Sequence, residues 1–187
     1  TAQNVGFVVG TLGADNTNHL LFQWRRLKND FYIWKDLGGW AGHNDSVFDS
    51  SIGSSGAEIA LVYKDGTYYA FLNGVLVCQF ESTFDNGWGG LMNVNDFIGI
   101  EGTLKIGLSV AFGVAQFTEW GYSTDASVIA EYTEVNPGMT SKLYSGASAT
   151  VTATQATISS SDVATYFFNG VELAQDQNFV MYATIKS

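Results

Sequence analysis

The run from Glu58 to Phe80, EIALVYKDGTYYAFLNGVLVCQF, constrains this chain more than any other segment. Three apolar runs, 59–63, 67–72 and 75–80, are rich in Val, Tyr, Phe and Leu, the residues that suit a pleated, half-buried surface. Lys64-Asp65-Gly66 and Asn73-Gly74 separate them. Asp-Gly and Asn-Gly tolerate the positive φ angles that tight hairpin turns need. An antiparallel meander follows, and with it an all-β class.

The rest of the chain fits that class. The spacing predicts a strand over 5–11, a hairpin of 20–26 with 31–36, and returning strands at 97–100, 103–111 and 115–122. Residues 38–56 and 81–96 read as long Gly- and Asx-rich loops. No segment longer than a turn has convincing helical periodicity, apart from a short helix expected within 123–134. The end of the chain, rich in Ser, Thr and Ala, predicts strands at 148–153, 164–168 and 178–186. In the last, Phe179, Met181, Ala183 and Ile185 alternate with Val180, Tyr182 and Thr184, the pattern of a half-buried strand. The organisation read from this is a main β unit over 1–122, a linker or short helix over 123–147, and β segments over 148–187 that complete the unit.

The 187 residues suit one domain with a substantial core. The net charge of −10 argues against nucleic acid, because phosphate binding needs a basic patch. Four of the 8 basic residues, Arg25, Arg26, Lys28 and Lys35, fall in one predicted hairpin, which reads as a solvated edge. The single cysteine, Cys78, has no internal partner and reads as a buried thiol in an apolar strand, on the same face as Leu76. No stretch reaches the roughly 18 to 20 apolar residues of a membrane span. Nothing in the opening residues reads as a signal peptide, and the low Lys content with abundant Thr, Ser, Asn and Gly suggests an extracellular or cell-surface setting.

The order strand, Asp-Gly, aromatic strand, Asn-Gly, aliphatic strand, followed by Leu104-Lys105-Ile106-Gly107-Leu108 and Ala115-Gln116-Phe117, resembles the concanavalin A-like lectin/glucanase superfamily, which includes laminin-G-like and pentraxin-like domains. The likeness covers roughly residues 5–122. It implies an antiparallel jelly-roll β-sandwich. Such domains normally begin with a strand pair ahead of the run that looks like Val5-Gly6-Phe7-Val8-Val9-Gly10. Here that beginning looks displaced to the end of the sequence, where 179–187 read into 1–10 resembles the family's N-terminal hairpin. The chain is therefore expected to be out of phase with the domain, either permuted or strand-exchanged with a neighbouring copy. In both cases 178–187 is expected to lie beside 5–11, with Phe179, Met181, Ala183 and Ile185 as the assembly strand.

Three kinds of site were weighed. Sugars stack their C–H faces on aromatic rings, and Trp40, His43 and Trp88 sit in Gly-rich stretches, with Trp24 and Trp34 on the hairpin. The alternative is that these rings fill the core or cover its rim. Oxygen-rich runs, Asp15-Asn16-Thr17-Asn18 above all, but also Asn44-Asp45 with Asp49 and Asn93 with Asn95-Asp96, offer ligands for calcium, the one cofactor suggested, although Asx-rich turns are ordinary loop chemistry. For catalysis, family glucanases carry carboxylates on alternate strand positions. Glu58, Glu81, Glu101 and Glu119 stand singly, and His19 and His43 lie in polar runs, so a non-enzymatic role is expected. Asn44-Asp45-Ser46 is an acceptor sequon for N-glycosylation. The function expected is adhesion or self-assembly, with copies of itself as partner, or alternatively glycan binding. Neither nucleic acid nor membrane insertion is expected.

Overall fold

The computed structural model describes residues 2–10, 19–35, 39–47, 56–85, 90–94, 102–125, 128, 139–143, 148–152 and 155–186. Side chains are described for these except residues 34, 35, 39–47, 92, 139–143 and 148–152. The chain is all-β, and no helix forms among the described residues.

The strands are β1 (Asn4–Gly10), β2 (His19–Arg25), β3 (Asp30–Lys35), β4 (Gly39–Val47), β5 (Ala57–Lys64), β6 (Thr67–Leu72), β7 (Val75–Glu81), β8 (Thr83–Asp85), β9 (Leu91–Asn93), β10 (Thr103–Ser123), β11 (Met139–Leu143), β12 (Ser148–Thr152), β13 (Gln155–Phe168), β14 (Leu173–Ala174) and β15 (Phe179–Lys186). The meander forms as its turns predict. Asp65 and Gly66 (φ 51° and 89°), and Asn73 and Gly74 (φ 50° and 74°), are all left-handed.

β10 organises the rest. Along one edge its first half pairs with β1 and its second half with β15, and β13 runs along the opposite edge. Two arms grow from these, β1-β2-β3-β4 and β15-β5-β6-β7. β11 and β12 extend β13 on the far side. The register of β10 against β13 shifts between Ala111 and Gly113, and that against β15 between Phe117 and Glu119. Such bulges bend a strand and let it serve two arms.

The arms face each other. Phe22 of the first stacks on Tyr68 and Phe80 of the second, at 5.2 and 5.9 Å between ring centroids. Phe31 meets Phe80 at 6.0 Å. Each such aromatic pair contributes about 0.5–1.5 kcal/mol beyond its burial. The outermost strands, β4 and β7, also lie together, so the antiparallel sheet nearly closes around one core. Closure leaves few free strand edges, which would otherwise template aggregation.

Several expectations change. Residues 39–47 are not loop but strand, paired to β3 at the edge of the first arm. The stretch 81–96 carries a small hairpin, β8 with β9. The two strands expected at 103–111 and 115–122 are one bulged strand. β11 lies within the stretch read as linker or helix, and β13 begins well before the expected 164. Leu76 and Cys78 do not share a face: a bulge between Ala70 and Phe71 of β6 and their partners on β7 inserts Val77, leaving Leu76 46% exposed while Cys78 is buried. The expected strand 97–100, and 126–127 and 129–134 of the expected helix, lie outside the described residues.

The tail differs most. β15 does not lie beside β1. It pairs with β10 and β5, and Phe179, Met181, Ala183 and Ile185 all enter the core. Val180 and Tyr182 on its other face are buried too, so it is covered on both faces rather than half-exposed. Lys186 stands opposite Gln116, while the Ala2 amide donates to the Val114 carbonyl at 2.7 Å. β15 and β1 therefore run end to end along one edge of β10.

Candidate functional site

Strand alternation gives the first arm a second, outward face. Phe7 and Val9, Leu20, Phe22 and Trp24, and Phe31 and Ile33 point into the main core. Val8 and Leu21 point the other way and cluster with Phe167 of β13. Register extends that row to Trp34 of β3, opposite Leu21, and to Trp40 of β4, opposite Trp34. The next row reads Thr165, Ser109, Gly6, Gln23, Tyr32 and His43.

From Thr165 to Tyr32 that second row is buried, and it carries the polar side chains of Thr165, Ser109 and Gln23. Asn4 donates from Nδ2 to Gln23 Oε1 (3.2 Å), Gln23 donates from Nε2 to Ser109 Oγ (3.3 Å), and Ser109 Oγ donates to the Phe7 carbonyl (3.3 Å). Burial of amides is tolerated because they are bonded to one another. Thr165 Oγ1, fully buried at the end of the row, has no partner among the described residues. Arg25 holds Asp30 through two hydrogen bonds and an ion pair, with the Nε–Oδ1 contact at 2.6 Å. Its guanidinium lies 4.0 Å from the Tyr32 ring centroid.

A hollow of about 170 Å³ opens where this face meets the β10 bulge, lined by Gln3, Asn4, Arg25, Leu27, Lys28 and Phe112. Phe112 adopts φ 54° and is 37% exposed, and Leu27 is 72% exposed. The sequence reading missed this hollow. Its sequence signals are Phe112-Gly113, which interrupts a strand pattern, and the basic turn after β2, which by itself reads as a solvated edge.

On the second arm Glu58, Thr184 and Glu119 stand in register across β5, β15 and β10. Thr184 donates to Glu119 at 3.4 Å. Burial first, and then the Glu119 charge, raise the Glu58 carboxyl above its ordinary value. Among the described residues no group of three or more His, Cys, Asp or Glu could hold a metal.

The residues picked from the sequence separate. Trp24 is fully buried against Phe7 and Phe31, so it belongs to the core and is withdrawn as a sugar-stacking residue. His19 is not in a polar loop: it opens β2, is fully buried and meets Phe167 edge-on. Trp34, Trp40, His43 and Asn44 come together on the β3–β4 hairpin, with Trp40 opposite Trp34, His43 opposite Tyr32 and Asn44 opposite Phe31. Trp88 and the expected calcium ligands Asp15, Asn16 and Asn18 lie outside the described residues. No family model and no curated protein matches this chain.

Proposed function

We propose that this chain is a non-catalytic module of an extracellular or cell-surface protein, a concanavalin A-like jelly-roll sandwich that works in adhesion or self-assembly. The observation that carries this reading is the position of β15. It completes two neighbouring strands at once, and it joins the preceding strands through the exposed turn at 175–176 and the half-buried 177–178. The same place in the sheet can be filled by the equivalent strand of a second copy. Deleting 177–187 tests it. The shortened protein should stop assembling and keep a groove that an added peptide of that sequence fills, whereas a closed monomer simply unfolds. The reading is overturned if the deletion alters neither assembly nor stability.

A second reading, glycan binding, is favoured by the register of the β3–β4 hairpin, which gathers Trp34, Trp40, Tyr32 and His43 on neighbouring strands rather than in scattered loops. A glycan array with and without calcium tests it, and Trp40→Ala should weaken a hit by about 1–3 kcal/mol if a ring is stacked. A flat array rejects it.

A further inference from the structure

We propose that the hollow at the β10 bulge is a binding site for the carboxylate-bearing ring of an acidic saccharide. Phe112 is a bulky residue in the left-handed region, an outlier because its Cβ crowds the following carbonyl. The Gln3 amide donates to the Phe112 carbonyl at 3.1 Å and helps to fix the bulge. The effect is to bring the ring out of the sheet to the wall of the hollow. Leu27, at the tip of the β2–β3 turn, supplies a second exposed apolar wall. Two apolar side chains held in water around a concavity form the surface on which the C–H face of a sugar ring packs.

The polar groups choose among sugars. Gln3 and Asn4 bring side-chain amides, which both donate and accept and so suit hydroxyls. Asn4 is held by Gln23, so its amide is oriented in advance. Of the two cations at the hollow, Arg25 is already neutralised by Asp30. Lys28 is exposed and makes no ion pair among the described residues. A free ammonium beside an apolar wall matches a carboxylate on a ring. It stands out because the whole chain carries a net charge of −10. At about 30 Å³ for each water, the hollow has room for about five or six waters, which suits one ring rather than a chain of them.

Calorimetry and ligand-observed NMR with methyl glucuronide, methyl glucoside and hexanoate test the proposal. The glucuronide should bind with Kd of order millimolar and at least about tenfold more tightly than either the neutral sugar or the ringless carboxylate. Its binding should fade as salt rises, since the ammonium is exposed. Lys28→Gln should abolish the preference for the acid over the neutral sugar. Phe112→Gly should weaken binding at least about tenfold while leaving the urea midpoint unchanged or higher, because glycine accepts φ 54° without strain. Leu27→Ser, at a largely exposed site, repeats the binding test without touching the bulge. Trp40→Ala should leave this binding unchanged, which separates it from the hairpin reading. Equal affinity for glucoside or hexanoate, no binding of the glucuronide, or indifference to both Phe112→Gly and Leu27→Ser overturns it.

Discussion

Replacing Gly107 by alanine should damage this protein more than its single added methyl group suggests. Gly107 lies in β10 between Val8 of β1 and Phe167 of β13. A Cβ built there would sit 1.9 Å from the Tyr166 carbonyl oxygen and 2.6 Å from the Phe167 Cα. Real Cβ atoms essentially never approach within 3.0 Å, and the obstacle is backbone, which cannot swing aside as a side chain can. β10 and β13 would have to part by about an ångström, a distance that breaks hydrogen bonds. Two ladder bonds at about 1 kcal/mol each would be weakened. Tyr166 in the main core and Phe167 in the outer cluster would shift, which costs about 1–3 kcal/mol as overpacking does. The total, about 2–5 kcal/mol, is a large share of the 5–15 kcal/mol typical of a domain. Gly74→Ala is the control. Its φ is 74° but nothing lies within 4 Å of the added atom, so it should cost only the left-handed penalty of about 1–2 kcal/mol. Urea unfolding followed by tryptophan fluorescence should show a lower midpoint with an unchanged slope for Gly107→Ala. A loss below about 1 kcal/mol, or no greater than that of Gly74→Ala, would refute the reasoning.

Two further outcomes are expected. Cys78 is buried in the main core, so a thiol reagent should label the native protein far more slowly than the urea-unfolded protein, and comparable rates would contradict the β7 register. Burial pushes the Tyr166 hydroxyl up to about 12, and Tyr68 and Tyr63 are raised from 10.0 by the same cause. The fold therefore favours their neutral forms. This stability is fully present below pH 10, the unfolded value, and is lost as pH climbs through the folded values. Urea midpoints measured across that range should fall as tyrosinate absorbance rises late, whereas a folded protein whose tyrosines all ionise near 10.0 would contradict it.

The meander was legible because its signals are local. Asp65-Gly66 and Asn73-Gly74 determine turns whatever surrounds them. The β2–β3 hairpin was readable for the same reason, from its alternation about Leu27-Lys28-Asn29. β4 was not, because Gly39, Gly42, Asn44 and Asp45 are weak strand formers, and its strand state comes from pairing with β3. The face of Leu76 was lost to a bulge, a register event that alternation alone does not encode. Of the candidate site, the aromatic residues of the β3–β4 hairpin were named, but Trp24 could not be told from them: a tryptophan at a strand's end reads the same whether it faces core or solvent. The hollow depends on residues 3, 27 and 112, which only the pairing of β1 with β2 and β10 brings together. That β15 and β1 run end to end along β10 was not legible, since it requires knowing that β10 is one strand and not two.

The position of β15 also sets an order of events on the ribosome. Of the described strands it is made last, yet it sits between β10 and β5 in the finished sheet. Tyr63 and Asp176, bonded at the mouth of that seam, are 113 residues apart. Until β15 emerges, the meander β5-β6-β7 and the second half of β10 have no strand between them. The nascent chain then exposes two unsatisfied edges, and Tyr68 lacks the ring of Phe179 that meets it edge-on. Non-local closure of this kind is slow, and open edges are the places where partly folded chains join one another. Translation rate and chaperone supply should therefore limit the soluble yield of this protein more than the stability of its final fold does.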